Sequence, residues 1–326
     1  MRFATLPDGT RDGRLHLVSR DNASAVPAQA ARTLQAALDD WEALAGRLED
    51  EYAALPAGRA QGVVAFDPAG AMAPLPRAWQ WLDGSAFDSH GDLLKQVFNL
   101  DPKQGNPDVI LMYQGISDRF LSPTEPVRMP AEKDQIDFEG EFGVIVDAVP
   151  MGLAPQEAAR HIRLIVQIND WSLRALAPVE MRTGFGVLQC KPRCSMAPVA
   201  VTPDELEGRW RDNQVDLALE VDFRGERFGG ANGHAMSVGF DRLVAHAAYS
   251  RDLVAGTIIG SGTVSNANFR EIGSSCIAER RGIELMDEGQ PKTPFMQYGE
   301  TVRMEAKLPD GRPLFGAIDQ RVCAPS

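Results

Sequence analysis

The run Ile136-Asp137-Phe138-Glu139-Gly140-Glu141-Phe142 leads directly into Gly143-Val144-Ile145-Val146. Read as a strand, it puts Glu139 and Glu141 on one face and Phe138 and Phe142 on the other, because side chains two apart share a side. Two neighbouring carboxylates repel each other. A hard cation such as Mg²⁺ or Ca²⁺, which prefers oxygen ligands, removes that repulsion; a solvated strand face could also carry such a pair. Asp170 follows the apolar run Ile162–Ile168. A strand apolar on both faces is expected to be buried, which sets Asp170 at the mouth of a core element. Capping the next turn is the other use an Asp has there.

Other chemistries fit less well. Cys190, Cys194, Cys276 and Cys323 form no CxxC pair, and no His or Cys beside Cys190 and Cys194 completes a zinc set, so all four read as reduced, partly buried thiols. The three glycines of 256–262 lack the Gly-Lys-Ser/Thr of a phosphate loop. His234, in a Gly-rich turn, and His246, on a helix, read as structural. The formal net charge of −12 argues against nucleic acid and anionic membranes as partners, since both need a basic surface. An acidic protein that handles an anionic substrate must gather positive charge locally. No stretch has the apolar length of a signal peptide or a membrane span, so a cytoplasmic protein is expected.

The elements that would position these groups follow from periodicity. The 326 residues suit one large domain and a smaller one. Strands are predicted around Phe3–Leu6 and Leu15–Ser19, with Asp12-Gly13 turning between them. Leu34, Leu38, Trp41, Leu44, Leu48 and Tyr52 form one helical stripe within 27–52, ended by Pro56 and Gly58. A Pro- and Ala-rich stretch after Phe66 places the boundary at residue 76, giving domains 1–76 and 77–326. Beyond it the spacing predicts a short helix over Pro155–His161, a strand over Ile162–Ile168 and a helix over Phe240–Tyr249. A hairpin is predicted through Arg224-Gly225 and another through Pro309-Asp310-Gly311. The class is α+β, dominated by strands.

With these pieces in order, the sequence resembles the fumarylacetoacetate hydrolase family. That pattern has an Asp seven residues before a His, a Glu-x-Glu strand, Asn-Asp-x-Ser-x-Arg, a downstream Lys and a late Gly-Thr loop. Here they stand as Asp83 and His90, Glu139 and Glu141, Asp170 and Arg174 in Asn-Asp-Trp-Ser-Leu-Arg, Lys191 in Gln-Cys-Lys-Pro, and Thr263 in Gly-Ser-Gly-Thr. Glu279 follows sixteen residues after Thr263. The resemblance spans roughly residues 79–322 and implies a mixed β-sandwich roll preceded by a small N-terminal α/β domain.

It further implies that Asp83, Glu139, Glu141 and Asp170 hold Mg²⁺ (or Ca²⁺ or Mn²⁺), with Arg174 and Lys191 as the local positive charge. His90 would be the general base, oriented by Glu279. Thr263 would offer its hydroxyl to a substrate carboxylate, although a plain strand threonine would look the same. The implied activity is metal-dependent hydrolysis of a carbon–carbon bond in a small anionic keto acid, a fumarylacetoacetate-like or acylpyruvate-like 1,3-diketo acid, in aromatic-compound or amino-acid catabolism, by a homodimer. Three departures stand out. Ala177 occupies the place of a Gln donor, for which Gln189 is a candidate replacement. Ser85 replaces a bulky Tyr in the substrate pocket, and a second substrate-binding Arg after His90 has no counterpart. Decarboxylation, hydration or isomerisation of a 2-oxo acid on the same scaffold, or plain binding of a metal or organic acid, are the alternatives.

Overall fold

A computed structural model describes residues 1–98, 106 and 108–325. Among them, the larger sheet runs in the order Val64–Ala65, Ser24–Pro27, Arg14–Val18, Arg2–Leu6, Ala200–Val201, Ile162–Asn169, Gly140–Val146, Ile258–Gly260, Trp81–Gly84 and Met112–Gly115. The second sheet runs Glu226–Asn232, Ala218–Phe223, Thr301–Ala306, Ile318–Cys323 and Val127–Arg128. Both sheets are mixed. Ile258–Gly260 pairs parallel with Trp81–Gly84 but antiparallel with Gly140–Val146. The strand-dominated α+β class read from the sequence is the class observed.

The two apolar faces of the central strands feed two cores. Ile145, Leu164, Val166, Ile168 and Ile258 pack with Leu34, Leu38, Trp41 and Leu48 of the N-terminal helices. Val144, Val146, Ile165 and Ile259 pack with Leu219, Val221, Val302 and Met304 of the second sheet. Burial on both faces is why Ile162–Asn169 carries apolar residues on both of its sides, with no strict apolar–polar alternation. Gln167, buried in that run, joins the two sheets: its amide donates to the Met304 carbonyl at 3.0 Å and its oxygen accepts from the Ala306 amide at 2.8 Å.

Local predictions hold at the turns and slip at helix ends. Arg224 (φ 56°) and Gly225 (φ 79°) make the two-residue hairpin turn, both in the left-handed region that such turns require. The single helix expected over 27–52 is two, Leu34–Asp39 and Trp41–Ala54, broken at Asp40, and Ser24–Pro27 is a strand. The stripe continues across the break, which is why periodicity alone did not find it. The N-terminal strands are not a separate sheet: Arg2 and Phe3 pair with Val201 and Ala200. Among the described residues no helix is long and apolar enough to cross a membrane.

Candidate functional site

Neighbouring strands of the larger sheet bring the acidic residues to one end. Asp83 lies in register with Gly260 on one side and Tyr113 on the other, and Glu141 pairs with Ile168. Asp170 leaves the end of Ile162–Asn169, its amide donating to the Glu139 carbonyl at 2.9 Å. Gly260 is required here, because a Cβ would meet Asp83 Oδ1 at 2.4 Å and the Trp81 ring equally closely. Gly262, at φ 79°, turns the chain so that its amide donates to Asp83 Oδ1 at 3.0 Å.

Asp83, Glu141 and Asp170 are buried, and each presents a carboxylate oxygen within 4.8 Å of the others. Among the described residues no amide, ammonium, thiol or hydroxyl donor reaches either oxygen of Glu141, and the side chain it meets is the Asp83 carboxyl. Burial, reinforced by Asp170, pushes the Asp83 carboxyl up to about 8. Burial and the neighbouring Asp83, Asp170 and Glu139 push Glu141 well above the usual carboxylate range. A buried acid with two idle oxygens between two other carboxylates is a poor structural device, since such groups are normally paired. The same geometry suits a hard divalent cation, which takes an all-oxygen donor set and removes the repulsion. The residues present therefore fit the implied metal.

Glu139, two residues before Glu141, has a different fate. Its carboxylate accepts from Ser172 and Thr263 hydroxyls and from Lys191 Nζ at 2.7 Å, and Arg174 approaches at 3.2 Å. Burial opposes its charge, yet Arg174 and Lys191 hold it well below the usual range. Lys191 also reaches Asp170 Oδ2 at 2.5 Å and so ties Glu139 to the trio. Burial would strip that ammonium of its proton, but Asp170 and Glu139 outweigh it and hold the Lys191 pKa well above its ordinary value.

His90 is buried. It sits on the helix Asp88–Phe98, with Nδ1 2.9 Å from Glu279 Oε1 and Nε2 3.9 Å from Glu139 Oε2. Glu279 comes from the first turn of Ile277–Glu288, whose N-terminal amides at Ile277 and Ala278 donate to Asp137 at 2.7 and 3.0 Å. Asp137 also accepts from Arg174 Nε at 2.8 Å. Arg174 thus faces carboxylates, and Thr263 is committed to Glu139. Ser85 is half-buried beside the Gly262 turn. Gln189 is exposed on a loop, its amide held by Glu180 at 2.8 Å, and the structure does not bring it to the cluster. Ala177 opens the helix Ala177–Thr183.

Sequence reasoning missed Tyr113, Cys194, Ser172 and Asp137. The Tyr113 hydroxyl donates to Asp170 Oδ2 at 2.6 Å, and the Cys194 thiol reaches Asp170 Oδ1 at 2.9 Å. Asp137 shares the alternation of Glu139 and Glu141, and Ser172 lies inside the Asn-Asp-x-Ser-x-Arg run, so both were within reach of the spacing argument. Tyr113 carries no local signal; only strand pairing opposite Asp83 brings it in. A surface cavity of about 370 Å³ lies elsewhere, among Arg20, Tyr52, Arg163 and Glu205, without a comparable set.

No curated protein matches the chain by sequence. Solved structures match in fold over 100% of this chain and of theirs. They include maleylpyruvate hydrolase from Sphingobium sp. SYK-6 in complex with manganese(II) and pyruvate (17% identity, TM-score 0.62) and fumarylacetoacetate hydrolase from psychrophilic Exiguobacterium antarcticum (14%, 0.65). A third is 5-carboxymethyl-2-hydroxymuconate delta-isomerase from Mycobacterium smegmatis (15%, 0.62). At these identities the likeness shows the fold alone. The family profile described as fumarylacetoacetate (FAA) hydrolase C-terminal matches residues 80–323, and fumarylacetoacetase N-terminal domain 2 matches residues 1–77. Together these matches cover nearly the whole chain, which therefore belongs to the fumarylacetoacetate hydrolase family.

Proposed function

We propose that the chain is a divalent-metal-dependent hydrolase that cleaves a carbon–carbon bond in a small 1,3-diketo acid, using residues 77–326 as its catalytic domain and residues 1–76 as a small accessory one. The observation that carries this reading is the buried trio Asp83, Glu141 and Asp170, with both Glu141 oxygens idle, set beside the His90–Glu279 pair. Asp83, Glu141 and Asp170, with Glu139 adjoining, would hold Mg²⁺, Mn²⁺ or Ca²⁺. The chemistry a bound cation supplies is polarisation of the substrate carbonyls and stabilisation of the negative charge left when the bond breaks.

The remaining work belongs to side chains. Glu279 accepts a hydrogen bond from His90 Nδ1–H, which fixes the tautomer and leaves Nε2 to take a proton from water. Lys191 keeps its charge between Glu139 and Asp170, where an ammonium can favour a developing enolate. Arg174, locked to Asp137 and close to Glu139, holds the base of the site in place and offsets its acidity. Cytoplasmic location and a homodimer complete the proposal. Hydrolysis needs a base to deprotonate water, whereas decarboxylation of a 2-oxo acid needs only an electron sink, and the buried His90–Glu279 pair favours hydrolysis over decarboxylation.

The test is a panel of 1,3-diketo and 2-oxo acids followed by ultraviolet absorbance. Exhaustive chelation should abolish cleavage of a diketo acid, and Mg²⁺ or Mn²⁺ should restore it. Full activity with no residual metal by elemental analysis would overturn the reading.

A further inference from the structure

Behind the trio lies a second cluster that this chemistry leaves partly unused. Cys276 caps the helix Ile277–Glu288, its sulfur accepting from the Glu279 amide at 3.3 Å. His90, Cys276 and Glu279 are all buried, and each presents a ligand atom within 4.8 Å of the others. Glu279 gives Oε1 to His90 and leaves Oε2, fully enclosed, with no hydrogen-bond partner among the described residues. A carboxylate oxygen, a thiol and an imidazole therefore lie within reach of a single cation.

We propose that His90, Cys276 and Glu279 form a second metal site, selective for a thiophilic divalent cation such as Zn²⁺, and that its occupation withdraws His90 from water. Sulfur, nitrogen and one carboxylate make a three-ligand set that Zn²⁺ accepts in tetrahedral geometry with one position open. The trio offers carboxylates alone and suits Mg²⁺ or Mn²⁺, so ligand softness sorts cations between the two sites. Burial, with Asp137 and Glu279 nearby, holds the Cys276 thiol well above its usual range. Coordination forms the metal–sulfur bond as the S–H bond breaks, and the proton leaves to solvent. Glu279 binds as the carboxylate, and the neutral imidazole binds through one nitrogen while keeping its proton on the other. The cation supplies the positive charge that Asp137, Glu139 and Glu279 leave wanting; Arg174 already faces the first two.

The binding claim stands on geometry, whereas the inhibitory consequence rests on reading His90 as the base. The probe is therefore Co²⁺ on the full chain, without substrate. Titration should raise a thiolate-to-cobalt charge-transfer absorption that Zn²⁺ displaces. Cys276→Ser should abolish it; serine keeps a cap on the helix, and circular dichroism checks the fold. Cys194→Ser should retain it, which separates this site from the sulfur beside Asp170. With Mg²⁺ saturating, Zn²⁺ should then slow diketo-acid cleavage by about 10-fold or more, in keeping with loss of a general base. Cys276→Ser should lose that sensitivity relative to its own zinc-free rate. No absorption, or one that survives Cys276→Ser, overturns the site. Absorption that needs Cys276, without inhibition, overturns the withdrawal of His90. Absence of cleavage in every metal is a failure of the hydrolase reading alone, because the cobalt signal needs no turnover.

Discussion

Glu205 and the trio Asp83, Glu141 and Asp170 are all buried and chemically opposite. Glu205 lies at the seam where the N-terminal strands join the larger sheet, 2.9 Å from Arg2 Nε and 2.9 Å from the Tyr52 hydroxyl, with the Met1 amino group at 3.3 Å. Burial opposes its charge, but the amino group and Arg2 outweigh it and hold its pKa below the usual range. Glu141 has no such partner and is pushed the other way. Burial of an acid is thus no sign of function. A buried acid becomes a candidate ligand when its protein partners are missing and its neighbours share its sign.

The sharpest way to break that contrast is to remove one charge from each place. Glu205→Gln leaves Arg2 buried without its anion, which should cost about 3–5 kcal/mol of stability. Glu141→Gln imitates the protonated acid that the metal-free site already favours, so in chelator its melting temperature should hold or rise, while Mn²⁺ binding is lost. Equal destabilisation by the two changes, measured by thermal unfolding, would erase the distinction. The next largest effect concerns the base. His90→Asn should lower kcat on a diketo acid by about 10²-fold with KM and metal affinity little changed. Undiminished cleavage would remove His90 from the mechanism, and decarboxylation that outlasts the mutation would promote the alternative reaction.

How much of this was legible in the sequence differs by the range of the interaction. Asp83, His90, Glu139, Glu141, Asp170, Arg174 and Lys191 are brought into one neighbourhood by the structure, each having been found in an ordered set of local motifs. The parting of Glu139 from Glu141 was not legible. Strand alternation gives both one face, and only the distant Ser172, Thr263 and Lys191 decide which acid is satisfied. Gln189, a candidate for the donor missing at Ala177, is set by the structure on an exposed loop held by Glu180, a direction no local spacing encodes. The break at Asp40 was hidden for the same reason, because the apolar stripe runs on through it.

A pH-dependent effect follows from Asp83. Its carboxyl is pushed up to about 8, by burial first and Asp170 second, whereas an unfolded Asp titrates near ~3.9. Between those values the unfolded chain has released the proton that the metal-free folded chain still holds. The unfolded state then binds fewer protons, so this group's contribution to stability falls as pH rises, by about 1.4 kcal/mol per pH unit. Outside that window it adds no slope. Melting temperatures of the metal-free protein should therefore decline more steeply with pH than those of Asp83→Asn, and Mn²⁺ should stabilise the native chain more as pH rises. Parallel curves for the two chains would show that Asp83 does not carry the proton.

The smallest effect tests whether partners of a ligand matter as ligands do. The Tyr113 hydroxyl donates to Asp170 Oδ2, which Lys191 also reaches, and Cys194 holds the other oxygen. Desolvation of the phenol, with Asp170 and Asp83 beside it, holds its pKa well above the ordinary value, so it remains a donor at any working pH. The Lys191 ammonium lies 5.1 Å from the centre of the ring, a contact that Phe would keep. Tyr113→Phe therefore deletes one hydrogen bond and little else. Groups that orient a metal-binding carboxylate are typically worth 10- to 100-fold in affinity. Two donors remain on Asp170, so the loss should sit at the lower end, about 10-fold in the Mn²⁺ dissociation constant and about 1.4 kcal/mol. Titration calorimetry would read it directly. Unchanged or tighter Mn²⁺ binding would mean that Lys191 and Cys194 already fix Asp170, and that Tyr113 serves the fold in place of the metal.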